Sequence, residues 1–206
     1  MRKISEGAEA CIYKTMMLGR NAIIKYRVEK SYRVAELDSD LRERRTRNEA
    51  KIQAELYEIG VRVPSVMLAG RHFIVMNEVA GETLNKIKMI NSGRGSTAIR
   101  IMSEAGSLLA RIHDHGISHG DFTTANLMLD RNGRLWVIDF GLSAFTNSAE
   151  DKALDIILMK RSVGDKFYSH FIKGYVGGTA ESGSVLKKLE EIERRGRYQT
   201  RTLSVG

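Results

Sequence analysis

The chain contains few of the residues that cross-link a fold or interrupt its regular elements. Among its 206 residues there is one cysteine, Cys11, and one proline, Pro64. A single cysteine excludes an internal disulfide and a cysteine-ligated zinc site. No apolar run approaches the roughly 20 residues that cross a bilayer, and residues 1–7 lack the apolar stretch of a signal peptide. We therefore expect a cytoplasmic protein without a membrane segment.

The composition is that of a folded protein with a moderate excess of positive charge. Hydrophobic residues make up 42% and charged residues 28% of the chain, which is ordinary for a globular protein. The length allows one domain or two small lobes with a substantial core. The net charge of +8 is compatible with an RNA ligand, an acidic partner or solubility alone, and does not decide among them.

One stretch near the middle of the chain has the spacing of a phosphoryl-transfer site. His119, Asp121 and Asn126 form the pattern H-x-D-x-x-x-x-N, and Asp139-Phe140-Gly141 follows it. In this pattern Asp121 would orient the attacking hydroxyl or water or accept its proton, while Asn126 and Asp139 would supply oxygens to magnesium. Magnesium takes hard oxygen ligands and usually only one or two from protein, so this small set suffices. The sequence therefore predicts binding of ATP and magnesium.

A β-hairpin is predicted between Asn126 and Asp139. The apolar residues 127–129 and 135–138 flank a turn that contains Asn132-Gly133, and both turn residues tolerate positive φ. We expect the hairpin to bring Asn126 and Asp139, at its open ends, close enough to share a metal. The alternative is a surface hairpin with polar flanks, and the motif spacing argues against it.

The first 26 residues are predicted to be β-rich, with a turn of small residues between two strands. Gly7, Ala8, Glu9 and Ala10 occupy that turn, where small side chains would let backbone N–H groups approach phosphate oxygens. Neither G-x-G-x-x-G nor a P-loop can be written here, so an ordinary turn is an equal alternative.

Lys25 is the candidate nucleotide lysine. It ends an apolar strand at residues 22–24. This is the position of the lysine that contacts the α- and β-phosphates in protein kinases. A lysine at a strand end is otherwise usually solvated, so the assignment depends on a partner for Lys25.

A helix predicted from about residue 39 to residue 60, capped within residues 38–40, supplies that partner. Glu49 falls on the face of its apolar stripe, which consists of Ile52, Leu56 and Ile59. An inward carboxylate needs a partner, and pairing with Lys25 would reproduce the lysine–glutamate pair that positions nucleotide in kinases. Placement of Glu49 on the surface is the alternative.

Two parts of the chain are strongly basic. Residues 25–47 contain seven arginines and lysines beyond Lys25, which are diluted by acids and favour a solvated, salt-bridged helix face over an RNA or partner surface. The C-terminal tail carries Arg194, Arg195, Arg197 and Arg201 with no acid after Glu193. We expect this tail to be disordered unless bound, and it could contact a phosphate backbone.

The remaining pattern predicts a second, helical lobe. Asn77, Glu78 and Val79 leave a strand at residues 73–76, where a two-lobed kinase has the hinge whose backbone binds adenine. A loop at 91–97 and a helix at about 98–115 follow, and a later helix from about Glu150 carries Asp155, which could brace the catalytic loop. We therefore predict an α+β, minimal two-lobed protein-kinase-like fold. Its β-rich N-lobe spans residues 1–80 and its mostly α-helical, shortened C-lobe spans residues 81–206.

Together these residues resemble the small atypical kinase/ATPase of the KEOPS (EKC) complex in its archaeal form. Members of that family are minimal two-lobed kinases without an extended activation segment, and this chain has no A-P-E motif after Gly141. The similarity covers nearly the whole chain and includes the segments 6–10, 25–50, 119–126, 139–143, 150–153 and 195–197. The pairs Thr123-Thr124 and Leu142-Ser143 are more specific than the general kinase pattern.

The resemblance implies an ATP- and magnesium-dependent Ser/Thr kinase or ATPase. It also implies partnership with the threonylcarbamoyl-transferase subunit and the other KEOPS subunits, in support of N6-threonylcarbamoyladenosine formation in tRNA. Hydrolysis of ATP for that partner would be the main task, beside autophosphorylation. tRNA could contact the basic tail and the basic helix region of the N-lobe.

Three other functions share part of this pattern. Small-molecule phosphotransferases also carry His-Gly-Asp, but they normally lack D-F-G and have larger C-lobes. RIO-type Ser/Thr kinases are nearer, yet they usually vary the residues that correspond to Gly141-Leu142-Ser143. A non-catalytic scaffold that binds nucleotide and RNA is the alternative from another class, and the intact set of motif residues argues against it.

Overall fold

A computed structural model describes residues 1–7, 9–87 and 95–202, without the side chains of residues 196–202. Ala8, most of the predicted loop at 91–97 and the last four residues of the basic tail lie outside the described residues. The chain divides into two compact units, residues 1–82 with 128–144 and residues 83–127 with 145–206. The hairpin after the catalytic loop thus groups with the first unit, and the lobe boundary near residue 80 stays a prediction.

The first unit is built on a five-stranded antiparallel sheet. Its strands are β1 (Arg2–Glu6), β2 (Ala10–Met17), β3 (Arg20–Arg27), β4 (Val66–Ala69) and β5 (Phe73–Asn77), in the order β1-β2-β3-β5-β4. Leu18 and Gly19 form a two-residue loop between β2 and β3, and both have positive φ (50° and 72°), as a tight hairpin turn requires. In the resulting register Lys25 lies opposite Ile12 on β2 and Ile74 on β5.

Helix α1 (Ala35–Glu58) belongs to the same unit and begins earlier than predicted. The predicted caps at residues 38–40 are wrong, because they lie inside the helix and Val34 precedes its first residue. Asp38 instead pairs with Arg42, at 2.6 Å. Gly60 closes the helix as predicted, with φ of 75° and its N–H donating to the carbonyl of Tyr57.

The predicted hairpin after the catalytic loop is present. Strands β6 (Gly81–Thr83), β8 (Leu127–Asp130) and β9 (Leu135–Val137) form a three-stranded sheet in the order β6-β8-β9. Of the two turn residues, which both tolerate positive φ, Gly133 adopts it and Asn132 does not. The Asp130 carboxylate accepts the N–H groups of Asn132 and Arg134, each at 2.9 Å, and these bonds organise the turn.

The second unit is mostly helical. It contains α2 (Ser96–Asp114), α3 (Ala149–Val163), α4 (Asp165–Gly178) and α5 (Ser182–Thr202), with the short strand β7 (Ile117–Ser118) and 3₁₀ turns at Leu84–Lys86 and Thr124–Asn126. A further short strand, β10 (Ala144–Phe145), spans the boundary in the sequence between residue 144 of the first unit and residue 145 of the second. Helix α5 includes most of the basic tail, so the expected disorder of that tail is wrong as far as Thr202.

Close packing of α2 against α4 forms the core of the second unit. The apolar stripe on α2 is buried and consists of Ile101, Met102, Ala105, Leu108, Leu109 and Ile112. A Cβ on Gly106 would collide with the carbonyl of Phe171, and one on Gly174 with the carbonyl of Ser103, so these glycines permit the close crossing. Across the described ranges of both units, none of the helices has the length and apolar character that crossing a membrane requires. The α+β class is confirmed.

Candidate active site

Lys25 is held by two carboxylates in the first unit. Its Nζ lies 2.6 Å from Glu49 Oε1 and 2.6 Å from Asp139 Oδ1. Lys25 is 8% exposed and Glu49 1% exposed, so this is a buried cluster rather than a solvated strand end. The predicted ion pair between Lys25 and Glu49 is therefore present, and Glu49 is not a surface residue.

The backbone places Lys25 and Glu49 toward each other. Lys25 lies near the end of β3, and the buried face of α1 carries a stripe at helical spacing that consists of Asp38, Arg42, Thr46, Glu49, Gln53 and Leu56. This stripe is polar over most of its length because it faces the charged end of β3. An apolar moment alone would not have located the buried face of this helix.

Arg27 completes the cluster and was not predicted. Its Nη2 lies 2.5 Å from Glu49 Oε2, so the two oxygens of one carboxylate bind two cations from the end of β3. Residues two apart on a strand share a face, and that alternation was the available signal for Arg27. Arg27 is 3% exposed and Glu49 is 1% exposed, so the ion pair between them is buried.

The electrostatics of the cluster keep Lys25 charged. Burial alone would lower its pKa, but the carboxylates of Glu49 and Asp139 outweigh that effect and raise the pKa above the ordinary lysine value. Lys25 therefore carries a full positive charge at neutral pH, as a group that contacts phosphate must.

Asp139 has a backbone conformation that is uncommon outside glycine, with φ of 63°. Its Oδ1 accepts both Lys25 Nζ and the N–H of Gly141, the latter at 3.1 Å. A Cβ on Gly141 would lie 3.0 Å from Asp139 Oδ1 and 3.2 Å from Lys25 Nζ, so a larger residue there would press on both side chains. The side chain of Asp139 is 49% exposed, unlike that of Glu49.

The small-residue turn lies between β1 and β2, as predicted. The N–H of Gly7 donates to the carbonyl of Ala10 at 2.9 Å. The Glu9 carboxylate pairs with Arg45 at 2.6 Å and with Arg27 Nη1 at 3.5 Å. Because its side chain is bound by arginines, any contact of Glu9 with phosphate falls to its backbone.

Two of the three predicted hinge residues already use their backbone N–H groups in hydrogen bonds within the first unit. The N–H of Asn77 donates to the carbonyl of Ser65, the N–H of Glu78 donates to that of Asn21, and the Glu78 carboxylate pairs with Lys14 at 2.6 Å. Within the described part of the chain, Val79 is the one member of this trio whose N–H has no hydrogen-bond acceptor. Adenine contacts, if made here, would use Val79 as donor.

Asp121 and Asn126 lie together in the second unit. Asn126 Nδ2 donates to the Asp121 carbonyl at 2.9 Å and to Asp121 Oδ2 at 2.8 Å. Because both bonds use the amide nitrogen, the amide oxygen of Asn126 is directed away from Asp121 and is suited to a cation. The 3₁₀ turn Thr124–Asn126 fixes this geometry, and Thr124 is anchored by Ser162 through its N–H, at 2.9 Å.

The backbone before Asp121 is held by Asp155, as the sequence suggested. Asp155 Oδ2 accepts the N–H of His119 at 2.7 Å, and Oδ1 accepts the N–H of Gly120 at 2.8 Å. His113 is buried and bridges Asp155 and Tyr175 at 3.1 and 2.8 Å. His119 is also buried, and its ring packs edge-on against Phe122.

The predicted residues thus form two clusters, one in each unit. Lys25, Glu49 and Asp139 are together in the first, and Asp121 and Asn126 are together in the second. The shared metal between Asn126 and Asp139 stays a prediction.

The residues fit the predicted magnesium and ATP. Asn126 offers a directed amide oxygen and Asp139 a half-exposed carboxylate, both hard ligands. No group of three or more His, Cys, Asp or Glu side chains that could hold a metal occurs in residues 1–7, 9–87 and 95–202. Magnesium bound mainly through nucleotide phosphates needs only one or two protein oxygens, so the sparse set is appropriate.

Comparisons with known proteins identify what the chain is similar to. A family model described as the RIO domain matches residues 6–164. The KEOPS complex subunit Bud32 of Pyrococcus abyssi is 34% identical over 219 residues, covering 98% of each protein. The probable bifunctional tRNA threonylcarbamoyladenosine biosynthesis protein of Methanobrevibacter smithii is 35% identical over 95% of this chain, which spans only 36% of that relative.

A solved structure shows the same fold. The Rio2 kinase of Chaetomium thermophilum, in an ADP/Mg²⁺-phosphoaspartate complex, matches with a TM-score of 0.66 at 18% identity, over 96% of this chain and 70% of its own. The predicted protein-kinase-like fold is confirmed.

Proposed function

Because this chain belongs to the RIO domain family and is a relative of the KEOPS subunit Bud32, we propose that it is an ATP- and magnesium-dependent phosphotransferase or ATPase that supports N6-threonylcarbamoyladenosine formation in tRNA. The observation that carries the proposal is the buried Lys25, whose Nζ is held 2.6 Å from both Glu49 and Asp139. A lysine fixed by a helical glutamate and the aspartate of D-F-G is the nucleotide-positioning arrangement of kinases.

The RIO domain model spans residues 6–164 and therefore includes the positions of Gly141, Leu142 and Ser143. The expectation that these residues separate this chain from RIO-type kinases stays a prediction. The two resemblances are compatible, since this chain matches both the RIO domain model and the Bud32 relatives. A RIO-like Ser/Thr protein kinase is accordingly the second candidate function.

Each residue has a distinct task in the proposed reaction. When bound, ATP supplies the phosphoryl group and magnesium the positive charge that offsets its oxygens. Asn126 and Asp139 would hold the metal through their amide and carboxylate oxygens, and Lys25 would offset phosphate charge. Asp121 would orient the acceptor hydroxyl or water and take its proton at a carboxylate oxygen. Backbone groups of Gly7–Ala10 and of Asn77–Val79 would contact phosphate and adenine.

The partners are part of the same proposal. The Pyrococcus abyssi relative is named a KEOPS complex subunit, which supports assembly with a threonylcarbamoyl-transferase subunit and other KEOPS proteins, in the cytoplasm. The basic residues of α5 and the segment 25–47 would contact tRNA through its phosphates.

The proposal is tested with γ-labelled ATP, by separating free phosphate from labelled protein with and without the transferase subunit and tRNA. Release of free phosphate that rises with the partner indicates an ATPase of the modifying assembly, whereas label confined to protein favours the RIO-like kinase. Absence of both products in the complete mixture would refute the enzyme and leave a nucleotide-binding scaffold.

Asp121→Asn is the matching residue test. The amide keeps the shape and an acceptor oxygen for Asn126 but cannot take a proton, so we expect turnover to fall about 100-fold or more while ADP affinity, measured by calorimetry, is retained. Asp165→Asn, at an exposed position on α4, is the control and should behave as wild type. Retained turnover in Asp121→Asn would refute its role.

A further inference from the structure

A second, strongly basic cavity lies in the first unit, beside the candidate nucleotide lysine. It has a volume of about 180 Å³ and is lined by β3, α1 and the loop between them. Its charged lining consists of Arg27, Lys30, Arg33, Arg42, Arg45 and one acid, Glu9. Lys25, Glu49 and Asp139 do not line it, and the cavity adjoins the nucleotide cluster only through Arg27, which belongs to both, and through Glu9 of the turn between β1 and β2.

The protein's own acids offset only part of this charge. Arg45 and Arg27 bind Glu9 at 2.6 and 3.5 Å, and Arg27 also binds Glu49 at 2.5 Å. Arg42 and Arg33 share Asp38 at 2.6 and 3.4 Å. A guanidinium carries five N–H donors, and these bonds use a minority of them. Four arginines and a lysine converging on one cavity repel each other, so an anion bound there would relieve the repulsion.

The shape and chemistry of the lining favour phosphate over a simple carboxylate. Several guanidinium groups facing one volume suit the tetrahedral array of phosphate oxygens, which accept bonds from several directions. The volume of 180 Å³ corresponds to about six water molecules, enough for a phosphate group and part of its ester.

Tyr32 adds a surface for a nucleic-acid base. It lines the cavity, is 75% exposed, and its ring centroid lies 5.2 Å from Arg33 Cζ. An exposed aromatic ring next to a guanidinium is the combination on which unpaired bases stack while the backbone phosphate is neutralised.

We propose that this cavity binds a backbone phosphate of a single-stranded RNA segment, with a neighbouring base stacked on Tyr32. The choice of RNA rests on the proposed role in tRNA modification, whereas the phosphate chemistry rests on the cavity alone. Free inorganic phosphate shares that chemistry and is the other source that an experiment must separate.

The test measures binding of a single-stranded oligoribonucleotide of about 12 nucleotides to the full chain, without ATP. We expect the variant Lys30→Gln/Arg33→Gln to bind about tenfold more weakly than wild type, because it removes charge-assisted bonds to one phosphate. The control Lys166→Gln/Lys173→Gln removes the same charge from exposed positions of α4, outside both the cavity lining and the segment 25–47, and should lose much less.

Tyr32→Ala gives an independent readout. Because Tyr32 is exposed, its removal should not disturb folding, and we expect RNA affinity to fall about fivefold or more while competition by inorganic phosphate is unchanged. This variant keeps the proposal testable even if the loss of the Arg33–Asp38 pair prevents folding of the double variant.

Two results would overturn the proposal. Equal losses in the cavity and control variants would show diffuse attraction to a basic surface instead of a site. Binding of inorganic phosphate that depends on Lys30 and Arg33, without binding of RNA, would reject RNA and assign the cavity to free phosphate. The γ-labelled ATP experiment without tRNA does not depend on Lys30 or Arg33. The RNA-binding proposal can therefore be refuted without refuting the proposed phosphotransferase or ATPase, and the reverse also holds.

Discussion

At the scale of single residues, one carboxylate determines how the nucleotide lysine is held. Glu49 gives one oxygen to Lys25 and the other to Arg27, at 2.6 and 2.5 Å, and all three side chains are buried. Arg27 also reaches Glu9 in the turn between β1 and β2, so we regard it as a positioning residue for Lys25 and for that turn.

Arg27→Gln tests this role. Without Arg27 the Glu49 carboxylate would bind Lys25 alone and displace its ammonium group, so we expect the KM for ATP to rise about tenfold with a smaller change in kcat. Loss of one partner of a buried ion pair should also lower the free energy of unfolding by about 3 kcal/mol.

The KM effect distinguishes positioning from stability alone. Arg27→Lys restores the charge but not the fork of the guanidinium, and should recover part of the KM. Arg47→Gln, on the exposed side of α1, is the control for loss of one positive charge. An unchanged KM in a destabilised Arg27→Gln protein would assign Arg27 a purely structural role.

At the scale of elements, α3 supports the catalytic loop through a single side chain. Asp155 was suggested from its place on a predicted helix, and the structure bonds it to the N–H groups of His119 and Gly120. Its partner His113, and Tyr175, which bonds to the other ring nitrogen of His113, could not be foreseen, because they come from α2 and α4 and helix phase does not reveal which helices are neighbours.

The β8–β9 hairpin was predicted correctly, but the residue that organises its turn was not identified from the sequence. Asn132-Gly133 between apolar runs correctly predicted a hairpin, but the turn is organised by Asp130. Asp130 also accepts Arg134 Nε at 2.8 Å and Trp136 Nε1 at 3.0 Å. An Asp before the turn, followed by several donors within six residues, was the signal in the sequence.

These bonds make a prediction for acid stability. Burial favours the neutral acid, but hydrogen bonds to the ionised carboxylate outweigh it and lower the pKa of Asp130 from 3.8 to about 2. A depressed folded-state pKa stabilises the protein above the unfolded pKa, and this contribution is lost as the pH falls from about 4 to about 2. We expect Asp130→Asn to lower the urea midpoint at pH 7 and the difference from wild type to shrink through that window. Asp40→Asn, at an exposed position of α1, is the control, and a difference independent of pH would contradict the assignment.

At the scale of the whole molecule, the sequence predicted the motif residues but not the buried charged residues packed around them. Lys25, Glu49, Asp121 and Asn126 were found because each has a fixed spacing to a neighbour or to an apolar stripe. Arg27 and the basic cavity were missed because their charges were interpreted as a solvated helix face. The polar stripe of α1 is buried through contacts with residues distant in sequence: Glu49 pairs with Lys25 and Arg27 of β3, and Gln53 donates to the carbonyl of Pro64.

The basic tail provides the final prediction, which concerns the charge of the whole molecule. Residues up to Thr202 are helical, and α5 contacts α3 through Lys160–Glu193 at 2.7 Å and Arg195–Glu150 at 3.7 Å. A helix presents arginines at a fixed spacing, so binding to tRNA would not require ordering of the tail.

We therefore expect a variant with glutamine at positions 194, 195, 197 and 201 to bind tRNA more weakly. Its plot of log affinity against log salt should be flatter by about one unit for each arginine that contacts a phosphate. A control with glutamine at positions 100, 111, 166 and 173 removes equal charge from α2 and α4. Equal slopes for the two variants would show that net charge, rather than α5, attracts tRNA. A slope that changes only in the tail variant would place the contact on α5, because counterion release occurs only where cations meet the backbone.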